Sequence, residues 1–290
     1  MRKGCAAGYF LTSSGRNDSK VFVKAGQVFP VEKRSVSGST SNKPVSQSPR
    51  VTTQDRSEMS CGKTTLRWGE RTYLMGVVNV TPDSFSGDGL VDDPGAALEL
   101  ALKMESAGAD VIDVGGESTR PPGRVYGRGA RPIHLEEELC RVLPVVERLV
   151  ARLRIPISVD TYKAQVARAV LEAGASMIND VWGLKADAEL ARVVAQYQVP
   201  LVLMHNQRSH HYGNLVSDVM AGLRRGVNIA LEAGVADNRI ILDPGIGFGK
   251  TAEQNLELLR RLGELRSLGY PLLVGTSRKS TIGLILDLPV

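Results

Sequence analysis

An α/β barrel of alternating parallel strands and helices is the fold class this sequence predicts, and three observations carry it. Short apolar runs recur seven times, each ends in a polar and mostly ionisable residue, and amphipathic helical patterns stand between them. Continuous apolar runs bounded by turn residues suit strands buried on both faces, which requires a parallel sheet covered by helices. Polar groups just beyond such strands are how a (β/α)8 TIM-type barrel assembles a site at its C-terminal rim. A doubly wound open sheet would also alternate, but a polar group at every strand end favours closure.

Taken in order, Thr65–Tyr73 reads as a small hairpin with Gly69 in its turn. The runs are then Tyr73–Val78 into Asn79, Val111-Ile112 into Asp113, Ile155–Val159 into Asp160, and Ser176–Ile178 into Asn179-Asp180. Leu201–Met204 into His205, Ile240–Leu242 into Asp243, and Pro271–Gly275 into Thr276-Ser277 complete the series. Between them, Asp93-Pro94 opens a helix to Ala107, with proline in the first turn and Gly108 past the end. Further helices are expected over His134–Leu153 (interrupted by Pro144), Lys163–Ala173, Ala186–Gln196, Leu215–Ala233 and Glu253–Leu268. Gly174, Gly234 and Gly269 supply left-handed residues that stop three of them. The pattern ends after the start of the seventh helix, so the sequence predicts a barrel lacking its eighth βα unit, roughly 30 residues. Strands one and seven would then be open edges, inviting aggregation and leaving the chain marginally folded.

At 290 residues the chain can bury one large core, and 42% hydrophobic with 23% charged residues is the balance of a globular protein. Residues 1–60 hold 10 Lys and Arg against 4 Asp and Glu, while the remainder holds 26 against 27. The basic character therefore belongs to a Ser-rich leader, which predicts two regions: 1–62, disordered for want of apolar surface to bury, and a barrel domain over 63–290. An Arg- and Ser-rich start can also be an organelle transit peptide, but a disordered tail is the preferred reading. Three cysteines, widely spaced, suit neither a disulfide framework nor a zinc site, so a reducing, cytoplasmic setting is expected. No apolar stretch reaches the ~18 residues a membrane helix needs. Aromatics are not interleaved with base clusters, which argues against nucleic acid.

The segments after the strands carry the chemistry. Asn79–Ser86 opens a polar loop longer than most strand-to-helix links, with Phe85 among hydroxyls. Asp113–Pro122 pairs Gly115-Gly116, which lets backbone approach a ligand, with Arg120, a fork for a carboxylate or phosphate. Asp160, Asn179 and Asp243 offer two carboxylates and an amide to one cavity, suited to the donor-rich edge of a guanidine-like heterocycle. A hard metal cation would want more oxygens. His205 is expected as a ligand contact or a packed rim histidine. Asp243–Thr251 superficially resembles a nucleotide P-loop, but Gly249 falls one place short of the required spacing from Gly245. Close approach to a flat ligand explains those glycines better. Gly275–Ser280 opens a helix with backbone N–H groups, hydroxyls and two cations, an anion site.

With these segments in view, the chain resembles the dihydropteroate synthase family from about Trp68 to Val290. Asn79-Val80-Thr81-Pro82-Asp83-Ser84-Phe85-Ser86 is similar to its first signature, and Asp113-Val114-Gly115-Gly116-Glu117-Ser118-Thr119-Arg120-Pro121 to its second. Ser158–Thr161, Ile178–Asp180, Leu203–His205, Asp243–Lys250 and Ser277–Ser280 follow in family order. The resemblance implies a transferase that condenses p-aminobenzoate with 6-hydroxymethyl-7,8-dihydropterin diphosphate, giving 7,8-dihydropteroate and diphosphate. By position it implies that Asp160, Asn179, Asp243 and Lys279 hold the pterin, with Met204, Gly247 and Phe248 lining it. Asn79 would contact Mg2+ on the diphosphate. Phe85, Thr119, Arg120 and Pro121 would shape the aminobenzoate pocket, and Ser280 would receive the aminobenzoate carboxylate. Lys279, Asp243 and Arg120 are the implied catalytic group, acting by electrostatic stabilisation as diphosphate departs before the amine attacks. Sulfonamide inhibition and a homodimer of the full-length chain are also implied. One departure is that the family's diphosphate-gripping Arg-x-His on the eighth strand has no counterpart before Val290. A corrinoid-linked methyltransferase of the same barrel class should lack the Ser84-Phe85, Ser118–Pro121 and Ser277–Ser280 segments. A non-catalytic pterin-binding protein would bind without turnover.

Overall fold

The computed structural model describes residues 8–12, 56–81, 93–119, 131–277 and 279–286, the first segment and residue 286 as backbone only. In chain order the strands are β1 (Gly8–Thr12), β2 (Glu58–Cys61), β3 (Thr64–Arg67), β4 (Tyr73–Asn79), β5 (Val111–Gly115), β6 (Ile157–Asp160), β7 (Met177–Asp180), β8 (Leu201–Met204), β9 (Ile240–Asp243) and β10 (Leu272–Val274). The helices are α1 (Pro94–Ser106), α2 (Leu135–Arg152), α3 (Ala164–Glu172), α4 (Glu189–Tyr197), α5 (Leu215–Glu232), α6 (Ala252–Arg260) and α7 (Ser280–Leu286). Strands β4 to β10 are parallel, each bonded to its sequence neighbour, as the alternating pattern requires.

Local chemistry explains the helix boundaries. Asp93 caps α1 by accepting from the Ala96 N–H at 2.8 Å, and Pro94 takes the first position, where no N–H is needed. Gly108, Gly174, Gly234 and Gly269 all have positive φ (98°, 106°, 95° and 79°), the left-handed stop expected of them. Thr251 and Gln254 form a reciprocal capping box at the start of α6. Two expectations are corrected. Pro144 does not interrupt α2, because the carbonyl left unbonded is that of the exposed Cys140, which water can reach. The last helix before β10 splits into α6 and a 3-10 segment, Leu262–Leu268.

The hairpin also lies earlier than expected. Its strands are β2 and β3, turning at Gly62 (φ 58°), while Gly69 (φ 97°) redirects the chain into β4. Met59, Cys61, Leu66 and Trp68 cover the N-terminal mouth of the barrel, packed on Tyr73, Met75, Val111, Met177, Val202, Ile241 and Leu273. Fully burying each such side chain is worth roughly 1.5–3 kcal/mol, so this plug closes the end opposite the site. The boundary expected at residue 62 therefore cuts through the hairpin.

The edges are not open. β1 runs antiparallel between β4 and β10, with Phe10 opposite both Leu74 and Val274, and completes a closed barrel of eight strands. Unpaired backbone on both edges favours capture of any suitable strand, and Gly-Tyr-Phe-Leu-Thr carries the aromatic and β-branched residues that strands prefer. The expectation of a wholly disordered leader is corrected at these five residues; residues 1–7 and 13–55 lie outside the described residues.

Candidate active site at the C-terminal rim

Strand register builds the site. Asn79 pairs with Gly115, Gly115 with Asp160, and Asp160 with Asn179, so one layer runs across four adjacent strands. Gly115 leaves a gap in that layer: a Cβ there would lie 3.6 Å from Asn79 Oδ1 and 3.9 Å from Asp160 Oδ2. Two residues back on the same strand face stands Asp113, inside β5 rather than past its end. Its Oδ2 accepts a 3.0 Å hydrogen bond from Asn179 Nδ2. Among the described residues, Asp113 Oδ1 and the neighbouring Ser158 Oγ have no partner in hydrogen-bond geometry.

Burial is the first cause of the electrostatics here. It raises the Asp113 carboxyl above its ordinary value, with Ser158 and Asn179 beside it pulling the other way. Asp160 is pushed well above its ordinary value, first by burial and then by the charges of Asp113, Glu138, Asp180 and Glu117. The residue is half-buried at the rim. Asp180 faces a different task. Its oxygens accept the N–H groups of Trp182 at 2.8 Å and Leu184 at 2.5 Å, holding the turn after β7.

Across the cavity, Asp243 at the end of β9 is pushed up to about 6 by burial, against the Gly245 N–H and the cations Lys279 and Lys250. Its Oδ1 accepts from Gly245 at 2.7 Å. Lys279 is lowered to about 8 by burial, opposed by Asp243 and Asp160, and its Nζ stands 4.2 Å from the centre of the Phe248 ring. Val181, Met204 and Phe248, with Trp182 against them, form a small apolar group at the same rim. A flat ligand with polar edges would find a donor–acceptor floor on β5–β7 and an apolar, cationic wall on β8–β10.

The glycine-rich loop works differently from expectation. A Cβ on Gly245 would sit 2.0 Å from the His205 carbonyl oxygen, and one on Gly249 would sit 2.1 Å from that of Gln207. Those glycines let backbone pack on backbone, Gly245 also lying against the Met204 side chain, while Gly247 faces the Lys279 side chain. Lys250, which a true P-loop would offer to phosphate, is buried and donates to the Gly245 and Phe248 carbonyls, each at 3.0 Å. Its Nζ also lies 3.2 Å from His205 Nδ1, which ties the ring to the loop. Burial lowers His205 to about 3, helped by Lys250, so the ring is neutral and packed within the rim.

Of the residues expected at the site, Asn79, Asp160, Asn179, Met204, Asp243, Gly247, Phe248 and Lys279 stand around this one cavity. Thr119 follows β5 at the rim, and Ser280 opens α7 beside Lys279. Phe85, Arg120 and Pro121 lie outside the described residues. Sequence reasoning passed over Asp113 and Trp182. Its polarity marks Asp113 as a strand end, although Val114-Gly115 continue the run; a lone Trp beside Asp180 makes no pattern.

A barrel with an acid-and-amide floor and a lysine over an aromatic ring defines a class of enzyme that binds flat nitrogen heterocycles. A family model described as pterin binding enzyme matches residues 75–289. A dihydropteroate synthase from Clostridium beijerinckii is 51% identical over 232 residues, covering 80% of this chain and 84% of the relative. A Xanthomonas albilineans dihydropteroate synthase solved with 4-aminobenzoic acid is similar at TM-score 0.73 and 43% identity, covering 81% of this chain and 83% of that one. One from Yersinia pestis with a sulfonamide drug gives TM-score 0.73 and 40% identity, over 80% and 83%. The chain belongs to the pterin-binding enzyme family, and within it to the dihydropteroate synthases.

Proposed function

We propose that this barrel condenses p-aminobenzoate with 6-hydroxymethyl-7,8-dihydropterin diphosphate, forming 7,8-dihydropteroate and releasing diphosphate. The observation that carries the reading is the Asn179–Asp113 pair facing Asp160, whose acceptors and amide match the donor-rich edge of an aminopyrimidinone. Asp243 and Lys279 hold the opposite edge, and Phe248 and Met204 cover the ring face. A neutral isostere lacking those N–H groups would leave buried carboxyls unpaired, which is how such a floor discriminates.

In the reaction the methylene–oxygen bond breaks and its electron pair leaves with diphosphate. The amine lone pair then forms the carbon–nitrogen bond, and the amine proton is released to solvent. Asp160 and Asp243, carboxyls held near cavity centre, stabilise positive charge as it develops on the pterin, and Lys279 and Arg120 oppose the charge of the leaving anion. Ser280 meets the aminobenzoate carboxylate, with Thr119, Arg120, Phe85 and Pro121 around the ring. Asn79 Oδ1 and the Asp160 carboxyl face the Gly115 gap, an oxygen set compatible with Mg2+ that keeps its waters and the substrate phosphates. When bound, that ion would neutralise diphosphate charge. Exposed Ile282, Leu284 and Ile285 on α7 support a homodimer, and a cytoplasmic location fits the cysteine usage. No helix among the described residues is long and apolar enough to cross a membrane.

The test is turnover with both substrates and sulfonamide competition. A sulfonamide, the kind of drug with which the Yersinia pestis relative was solved, should compete with p-aminobenzoate and not with the pterin. Pterin binding without turnover in the complete chain would instead select the non-catalytic reading.

A further inference from the structure

Beside the pterin cavity lies a charged cluster that the reaction does not use. Glu117 follows Gly115-Gly116 at the end of β5, and its carboxylate has three partners. Lys163 Nζ donates to Oε2 at 2.6 Å, the Tyr162 hydroxyl donates to Oε1 at 3.2 Å, and the Ile133 backbone N–H donates to Oε2 at 3.4 Å. Lys163 also pairs with Glu138 on the first turn of α2, a residue with no solvent exposure. Arg141, one turn further on, donates to the Gly116 carbonyl at 2.9 Å and pairs with Glu137. Gly116 has no room for a side chain, since a Cβ would lie 2.5 Å from Val142 and 3.2 Å from Glu138.

The connectivity gives this cluster its meaning. Thr119 stands two residues beyond Glu117 on the outgoing chain, and Ile133 lies on the returning chain just before α2. One carboxylate therefore ties together the two described ends of the β5–α2 connection. Burial works to lower the Lys163 pKa, but its bonds to Glu117 and Glu138 outweigh that and raise it overall. Holding one cation between two carboxylates, one fully buried, exceeds what fastening α2 requires: the apolar face of that helix is already packed through Val142, Val145, Val146 and Leu149.

We propose that Glu117, clasped by Lys163, is a positioning residue that sets Thr119 at the rim for the aminobenzoate substrate. It acts through the backbone on either side of the connection and touches neither substrate. The proposal rests on the dihydropteroate synthase reading for the identity of that substrate, and on the hydrogen bonds alone for the clasp.

Glu117→Ala isolates the role, because the Lys163–Glu138 pair survives and α2 stays fastened. In the complete chain it should raise the KM for p-aminobenzoate about ten- to a hundredfold, the scale on which misplacement acts. The pterin diphosphate KM should stay within about twofold, since Glu117 bonds to none of Asp160, Asn179 and Asp243 and ranks behind burial and three other carboxylates in its effect on Asp160. Glu117→Gln retains an oxygen for the Ile133 N–H and should keep most of the native KM. Hydrogen exchange read at Ile133 should accelerate in Glu117→Ala and not in Glu117→Gln. That readout needs no turnover, so an inactive native chain would count against the enzyme reading while still deciding the clasp. Equal shifts in both KM values, unchanged exchange at Ile133, or failure of both variants to fold would overturn the proposal and make the cluster a stability element.

Discussion

Asn179 and Asp113, 66 residues apart in sequence, share a 3.0 Å hydrogen bond at the floor of the cavity, where Asn179 Nδ2 donates to Asp113 Oδ2. The bond orients both groups at once. It fixes the Asn179 side-chain amide, and the second Asp113 oxygen has no hydrogen-bond partner among the described residues.

Asn179→Ala should therefore cost twice over. Removing the donor leaves a buried carboxyl with only the Ser158 hydroxyl beside it, a penalty of about 1–3 kcal/mol in folding stability. It also removes an acceptor from the pterin edge, so pterin diphosphate binding should weaken by a comparable amount. Urea unfolding and calorimetry measure the two effects separately. Native affinity with native stability would show that the pair is not part of the recognition surface.

Asp243 yields a stability prediction of opposite sign. Its folded value is raised to about 6 from an ordinary 3.8. The stability it contributes is fully present below the ordinary value and is lost as pH climbs through about 6. Asp243→Asn keeps an oxygen for the Gly245 N–H and abolishes that titration. The variant should be more stable than the native chain at pH 7.5, by on the order of 2 kcal/mol, and no more stable at pH 4. Pterin binding should be lost. Melting curves at the two pH values decide it: a variant less stable at pH 7.5 would mean that Asp243 is held ionised by Lys279.

Lys250 can be separated from nucleotide chemistry. Lys250→Met would leave the Phe248 carbonyl without its lysine donor, the Gly245 carbonyl with the Phe248 N–H alone, and His205 Nδ1 without its lysine contact, and a single buried group left unpaired costs about 1–3 kcal/mol. The loop that carries Phe248 should loosen, weakening pterin binding without altering any ligand contact directly. ATP should neither protect the native chain from heat nor be hydrolysed. Thermal protection by ATP that disappears in the variant would restore the phosphate role.

How much of this was legible in the sequence depends on range. The seven parallel strands, the glycine stops and the rim positions of Asn79, Asp160, Asn179 and Asp243 follow from local pattern, because burial on both faces and helix termination are local demands. The Asp113 contact was not legible, since it depends on how far β5 continues and on register with β7. The role of Lys250 was hidden for a similar reason: Gly-rich spacing reports backbone freedom, and only packing against His205 and Gln207 says what that freedom serves. The hairpin was misplaced although Glu58-Met59-Ser60-Cys61 alternates exposed and buried; one short polar–apolar run was outweighed by the conspicuous Gly69. β1 was missed because composition described the whole leader and a five-residue strand is too short to change it.

That strand leads to the last prediction. β1 is bonded on both sides, to β4 and to β10, and it supplies the ladder partners that those strands would otherwise lack. Proline at Phe10 cannot donate to a ladder, and a residue bonded on two sides is the position least tolerant of it. Phe10→Pro should therefore lower the melting temperature, by several degrees if the loss is about 1–3 kcal/mol. Deletion of residues 1–12 should go further, exposing the edges of β4 and β10 and promoting association between copies. Hydrogen exchange should accelerate at Tyr73–Gly76 and Leu272–Val274 in both variants, while β6 and β7, across the barrel, stay protected. Unchanged exchange along β4 and β10 after deletion would show that β1 does not close the barrel in solution.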